Sequence, residues 1–126
     1  MTGILRIAVG LIAVFNIAIG LMFLFNPAGV AAQFFLIPDG GQGMATLRAD
    51  FPGFFITGGV FALIGSWQRD ARALLVPMLL LAIALTGRCV SLLADGIGPA
   101  AIQPMVAEAV MISVLALARR ALVAQS

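Results

Sequence analysis

Five ionisable side chains and one serine could do chemistry in this chain, because they interrupt segments that are otherwise almost wholly apolar. These residues, called the polar cluster below, are Arg48, Asp50, Arg88, Ser91, Asp95 and Glu108. Arginines and carboxylates form charge-assisted hydrogen bonds with one another, and ionisable groups inside a membrane mark ion, proton or ligand sites. The polar cluster is therefore the candidate binding or structural site.

Helical spacing predicts that these side chains meet at one depth. Ala84, Arg88, Ser91 and Asp95 follow one another at intervals of four, three and four residues, so they share one helix face. Glu108 is predicted one to two turns inside the next helix, measured from the same end.

Arg48 and Asp50 begin an earlier predicted span at that level, and we expect the charges to pair. We predict bidentate pairs of Arg88 with Glu108 and of Arg48 with Asp95. Two interpretations stay open with equal weight. The pairs fix the register of the helices, or they form a site for headgroup capture, proton relay or carboxylate catalysis.

The residue inventory argues against an enzyme. The chain has no His and no Tyr, and no serine stands beside a base, so we predict no catalytic residue, no metal site and no cofactor. Cys89 is the sole cysteine. It projects about 100° away from the Arg88 face, which predicts an inert buried thiol.

Four apolar segments must position the polar cluster. Hydrophobic residues make up 63% of the 126 residues and charged residues 10%, far from the soluble average of about 25% charged. About 20 apolar helical residues cross a hydrocarbon core. We predict one domain, 1–126, that is an all-α, four-helix transmembrane bundle with helices at about 4–26, 44–68, 72–95 and 99–119.

The arginines predict the orientation of this bundle. The side holding both termini carries five arginines against one aspartate: Arg6, Arg69, Arg72, Arg119 and Arg120 against Asp70. This positive-inside bias predicts that both termini are cytoplasmic, as in a multi-pass protein of a bacterial inner membrane. Since the arginines are scattered over helix ends, nucleic-acid binding is not expected.

The N-terminal half of the chain contains three features whose structure must be chosen between alternatives. The apolar run Ile7–Phe25 exceeds the usual 7–15 residues of the apolar region within a signal peptide, so a retained helix is predicted. The stretch Asn26–Gly43 is predicted to be a loop that lies in the membrane interface or forms a lid, with 39–43 as a flexible turn. Pro52 is predicted to kink a long second helix.

Smaller polar and apolar features predict packing. Asn16, in the middle of the first helix, is expected to hydrogen-bond across the bundle. Small residues such as Gly20, Gly58, Gly59 and Gly65 are expected to let helices approach closely within one protomer.

Several motifs carry a resemblance to a known family. They are Leu47-Arg48-Ala49-Asp50, Gly87-Arg88, Leu92-Leu93-Ala94-Asp95-Gly96, Glu108 and the end of the first helix at 20–27. The chain resembles small four-helix bacterial integral membrane proteins catalogued as domain-of-unknown-function family 4345. The resemblance implies four helices and a membrane location but no activity. Phe51-Pro52-Gly53 departs from the glycines usual there.

Three classes of function follow from these observations. The first is a non-catalytic accessory or scaffold subunit, packed against a larger membrane protein or a second copy of itself and against membrane lipids. The alternative is a minimal transporter or lipid-binding bundle that uses Arg48, Arg88, Asp95 and Glu108. An intramembrane enzyme comes third.

Overall fold

The structure, a computed structural model, describes residues 2–96, 98 and 102–125. Within these residues it consists of five helices and no strand. The helices are α1 (Gly3–Phe25), α2 (Pro27–Gln33), α3 (Gly40–Gln68), α4 (Leu75–Ala94) and α5 (Ile102–Gln125). The all-α prediction is confirmed. The predicted first residues of the last helix, 99–101, lie outside the described residues.

Three of the described helices are long and apolar enough to cross a membrane. They are α1, α3 and α4, each with at least 18 residues of high mean hydropathy and few charges. Length and composition thus indicate a membrane protein. The fourth span and the orientation of the termini stay predictions.

Helices α1 and α3 run antiparallel and approach closely at glycines. A Cβ atom on Gly20 would lie 2.5 Å from Cγ1 of Ile56, and one on Gly59 would lie 2.5 Å from Cγ1 of Ile17. Both distances are far shorter than a carbon–carbon contact allows. Gly20 and Gly59 therefore set the α1–α3 spacing, as predicted for small residues within one protomer.

The stretch predicted as a loop contains helical structure, so that prediction is wrong in part. Helix α2 begins at Pro27, which has no N–H to leave unsatisfied at a first helical position. Helix α3 begins at Gly40, four residues earlier than predicted, because the Gly43 amide already donates to the Asp39 carbonyl at 3.0 Å. The predicted flexible turn at 39–43 is the N-cap and first turn of α3.

The segment between α2 and α3 divides its apolar side chains between the core and the surface. Phe34 packs on Phe23 and Phe55, with ring centroids 5.3 Å and 5.9 Å apart. Phe35 has a left-handed backbone, with φ 61°, and both Phe35 and Ile37 are exposed. The packed Phe34 suits a lid, whereas the exposed Phe35 and Ile37 suit an interfacial segment. Both interpretations therefore stay predictions.

Helix α3 continues through Pro52, as predicted for the long second helix. Pro52 is buried, and since it has no N–H, the Arg48 carbonyl lacks its helical donor. The helix ends at Gln68, where Arg69 adopts a left-handed conformation and the Asp70 amide donates to the Gly65 carbonyl at 3.1 Å. This is the hydrogen-bond pattern of a Schellman ending.

The turn between α3 and α4 is longer than predicted. The Asp70 carboxylate accepts a hydrogen bond from the Arg72 amide at 2.9 Å, and α4 begins at Leu75 instead of near residue 72. The turn lies tight against α3, because a Cβ on Gly65 would clash with the Leu74 side chain.

The buried apolar side chains form two clusters. One joins α1, α3, the start of α4 and α5, and its buried members are Val9, Ala13, Ala62, Leu74, Leu81, Leu115, Ala118 and Leu122. The second is aromatic and centres on Phe23, which is fully buried and stacks on Phe51 at 4.7 Å. The second cluster lies where α2 packs against the end of α1 and the start of α3.

Candidate functional site

Arg88 and Glu108 form an ion pair between α4 and α5. Nε of Arg88 donates to Oε1 of Glu108 at 2.7 Å, with the side chains 34% and 11% exposed. This confirms the predicted partner of Arg88. The structure records one hydrogen bond between them, where a bidentate pair was predicted, so the Nη atoms of Arg88 do not share this contact.

The depth of the pair follows from helix geometry. Arg88 lies six residues before the last residue of α4, and Glu108 six residues after the first of α5. At 1.5 Å per residue each lies about 9 Å inside its helix end. Within a bilayer that depth is below the headgroups, so an unpaired charge there would be costly.

The predicted pair of Arg48 with Asp95 is wrong. Nε of Arg48 instead donates to the Leu24 carbonyl at 3.4 Å, and Asp95 is the exposed C-cap of α4. The cause is tertiary: α3 packs along α1, and this brings Arg48 to the last turn of α1. An arginine can satisfy a helix-terminal carbonyl that has no backbone donor.

The rest of the polar cluster does not converge either. Asp50 is exposed on α3, and Ser91 is half-buried, with its carbonyl accepting the Asp95 amide at 2.8 Å. The structure therefore brings together two of the six predicted site residues, Arg88 and Glu108.

A second polar contact, at the opposite end of the bundle, was not predicted. Nε and Nη2 of Arg6 donate to the carbonyls of Ser66 and Trp67 at 3.0 Å and 3.1 Å. The Ser66 hydroxyl donates back to the Arg6 carbonyl at 2.9 Å. A positive charge near a helix C-terminus is favourable. The sequence signal that could have suggested this contact is the position of Arg6 at the start of α1, which runs antiparallel to α3.

Arg6 and Arg48 therefore play matching roles. Arg6 lies in the first turn of α1 and Arg48 in the third turn of α3, and each donates to the last turn of the other helix. We call these two contacts the arginine caps. They join α1 and α3 near both ends, and they engage Nε of both arginines.

Asn16 joins α1 to α5 at mid-depth. Its side chain is 6% exposed, and Nδ2 donates to the Ile12 carbonyl at 2.8 Å and to Sδ of Met111 at 3.6 Å. The predicted contact across the bundle is confirmed. Beside Asn16 is a pocket of about 10 Å³ between α1, α3 and α4, close to the minimum that one water molecule needs.

Cys89 differs from its prediction. The thiol is exposed on α4, so the prediction of a buried thiol is wrong. The described residues contain no group of three or more His, Cys, Asp or Glu side chains that could hold a metal ion.

These features define an all-helical protein with three helices able to span a membrane, joined by a small number of interhelical polar contacts. The chain belongs to the family described as a domain of unknown function (DUF4345), whose sequence profile matches residues 4–119. The resemblance seen in the sequence is thereby confirmed. Comparison with curated proteins and with solved structures gives no significant match.

Proposed function

We propose that this chain is a non-catalytic membrane component, an accessory or scaffold subunit that works by lateral association with a larger membrane protein. In this proposal four helices, α1, α3, α4 and α5, cross a bacterial inner membrane, with both termini in the cytoplasm. The proposal rests on the contacts that the interior polar groups make and on the apolar character of the outer surface.

The single observation that carries the proposal is that the interior polar groups hold helices together. Glu108 binds Arg88, Asn16 contacts Met111, and Ser66 binds Arg6. Each contact joins two different helices. Groups held in this way fix how neighbouring helices pack, which favours a structural role for the polar cluster.

The outer surface supports lateral association. Helix α4 is the least buried of the three candidate spans, with 11% of its apolar window buried against 28% for α1 and α3. It presents Leu79, Ile83 and Leu93, the last 89% exposed. A broad apolar surface in a membrane packs against lipid or against another protein.

The second candidate is a minimal transporter or lipid-binding bundle. Partial exposure of Arg88 favours it, since its Nη atoms are not used by Glu108. The pocket at Asn16, about 10 Å³, is far below the 300–1,000 Å³ of ordinary small-molecule sites. Lipid binding at the surface is therefore preferred to transport through the bundle, and an intramembrane enzyme remains third.

Photo-crosslinking from α4 tests the accessory role. A photoreactive amino acid at Ile83 or Leu93 faces outward, whereas the same group at Leu81, which is 4% exposed, faces the core and serves as the control. Crosslinking in cells at natural abundance, followed by mass spectrometry, should give one stoichiometric protein adduct from the outward sites and none from Leu81.

Native mass spectrometry of the complex extracted in mild detergent completes the test. A defined protein partner at fixed stoichiometry would support the accessory role. A tightly held lipid without protein would favour the second candidate. The proposal is overturned if the chain is a partner-free monomer that turns over a substrate in a way that depends on Asp95 or Glu108.

A further inference from the structure

Five arginines lie at one end of the bundle, which we call the arginine end: Arg6, Arg69, Arg72, Arg119 and Arg120. Three segments meet there, namely the start of α1, the turn between α3 and α4, and the last turns of α5. Their proximity is fixed by one buried cluster, because Val9, Leu74 and Leu122 all belong to it.

The arginine end has a large uncompensated positive charge in the described part of the chain. Arg6 is held by the carbonyls of α3, which carry no full negative charge. Asp70 is the acidic residue at this end, and its carboxylate accepts the Arg72 amide within its own turn. Arg69, Arg72 and Arg120 are exposed.

Arg119 differs from its neighbours because it is partly buried. Its Nε atom is inaccessible to solvent and donates to no acceptor among the described residues. A buried donor without an acceptor is unfavourable, and such donors are rare in folded proteins. Arg119 as a whole is only partly buried, so an anion outside the chain can approach the guanidinium from its exposed side and compensate its charge.

We propose that the arginine end binds the phosphate of an anionic phospholipid, with Arg119 as the residue that fixes its position and Arg120 adding charge. The phosphate supplies oxygen acceptors that suit the planar donor fork of arginine. Basic pockets between membrane helices bind anionic headgroups in this way.

The depth of Arg119 favours a lipid over a soluble anion. Arg119 lies about 26 Å from Ile102 along α5, close to the full thickness of a hydrocarbon core of about 30 Å. Its guanidinium therefore reaches the level of lipid phosphates, while apolar side chains that precede it in α5, such as the exposed Leu117, contact the acyl chains.

Lipid titration monitored by native mass spectrometry tests this site. The full chain in mild detergent is titrated with phosphatidylglycerol, with phosphatidylcholine of the same acyl chains, and with inorganic phosphate. We expect retained phosphatidylglycerol adducts, weaker phosphatidylcholine adducts and no retained inorganic phosphate. Fluorescence of Trp67, the sole tryptophan, at the same end provides a second readout.

Two substitutions at Arg119 distinguish lipid binding at one site from a general effect of positive charge. Arg119→Gln should weaken phosphatidylglycerol binding roughly five- to tenfold, the effect of one arginine near an anionic headgroup. Arg119→Lys keeps the charge but removes the planar donor fork, so it should give a smaller loss. Arg69→Gln removes an exposed arginine of the same end and, with the same change in net charge, should also give a smaller loss. Circular dichroism checks that each variant is folded, and Arg120→Gln replaces Arg119→Gln if the latter is not.

The possible results are decisive in either direction. A selective loss of phosphatidylglycerol binding in the Arg119 variants, or in Arg120→Gln where it replaces them, supports the lipid site. Equal affinity for the two lipids would overturn it, as would equal losses in Arg119→Gln and Arg69→Gln. If inorganic phosphate bound as tightly as phosphatidylglycerol, the ligand would be a free phosphate and the lipid assignment would be wrong.

Discussion

Arg6 and Ser66 exchange hydrogen bonds across the α1–α3 interface. The Arg6 side chain donates to the Ser66 carbonyl at 3.0 Å, and the Ser66 hydroxyl donates to the Arg6 carbonyl at 2.9 Å. Both the main chain and the side chain of Arg6 are thereby fixed against the last turn of α3. The start of α1 and the end of α3 should unfold as one unit, which Ser66 makes testable.

Removal of the Ser66 hydroxyl should reduce stability by a moderate amount. Ser66→Ala removes the bond to the Arg6 carbonyl and leaves that acceptor with one donor fewer, at a cost of about 1 kcal/mol. Thermal unfolding in detergent, followed by circular dichroism at 222 nm, measures the change. Ser113→Ala is the control, since the Ser113 hydroxyl bonds only to its own helix at Ala109. Equal effects of the two substitutions would contradict the interhelical role.

A methyl group at Gly59 should force α1 away from α3. Its Cβ would lie 2.5 Å from Cγ1 of Ile17 and 2.7 Å from the Ala13 carbonyl oxygen. Because one of these atoms is backbone, a rotamer change alone cannot relieve the clash, and Gly59→Ala should cost about 1–3 kcal/mol.

Gly53 provides the matched control for Gly59 on the same helix. A Cβ there would meet no atom within 4 Å, so Gly53→Ala should be neutral or stabilising by up to about 1 kcal/mol through helix propensity. Thermal unfolding should therefore give a lower Tm for Gly59→Ala and an unchanged or higher Tm for Gly53→Ala. A stable Gly59→Ala variant would show that the α1–α3 contact is looser than described.

The Arg88–Glu108 pair should show strong coupling. Arg88→Ala leaves the Glu108 carboxylate, 11% exposed, without its charged partner, which should cost roughly 3 kcal/mol or more. The double variant Arg88→Met with Glu108→Leu removes both charges and should recover part of that loss. A double-mutant cycle from thermal unfolding, completed by the single variants Arg88→Met and Glu108→Leu, measures the coupling, and a double variant no better than Arg88→Ala or Arg88→Met would refute it.

Both ends of the chain should be protected from reagents outside the cell. Gln125→Cys, in a Cys89→Ala background because Cys89 is exposed, should resist a membrane-impermeant thiol reagent in intact cells. Gln42→Cys, exposed in the first turn of α3, should react under the same conditions. The opposite pattern would reverse the predicted orientation.

Local sequence patterns were enough to predict the long helices and one ion pair. Arg88 and Glu108 could be paired from the sequence because α4 and α5 are neighbours in the chain and a short connection places equal depths side by side. The same argument failed for Arg48 and Asp95, which belong to helices whose relative rotation no local pattern specifies. The early start of α3 was missed because glycines at 40, 41 and 43 are weak helix formers, while tertiary packing overrides propensity.

By itself the sequence determined the helical class, the apolar surface and the family, since these depend on composition, period and motif along one segment at a time. Only the tertiary structure decided which polar groups meet. In the structure Arg48 and Arg6 bind carbonyls at the ends of neighbouring helices, and the polar cluster does not meet at one place. Nε of Arg119 has no acceptor among the described residues. The physical reason is that hydrogen bonds act over about 3 Å, a distance set by how helices rotate and pack against one another.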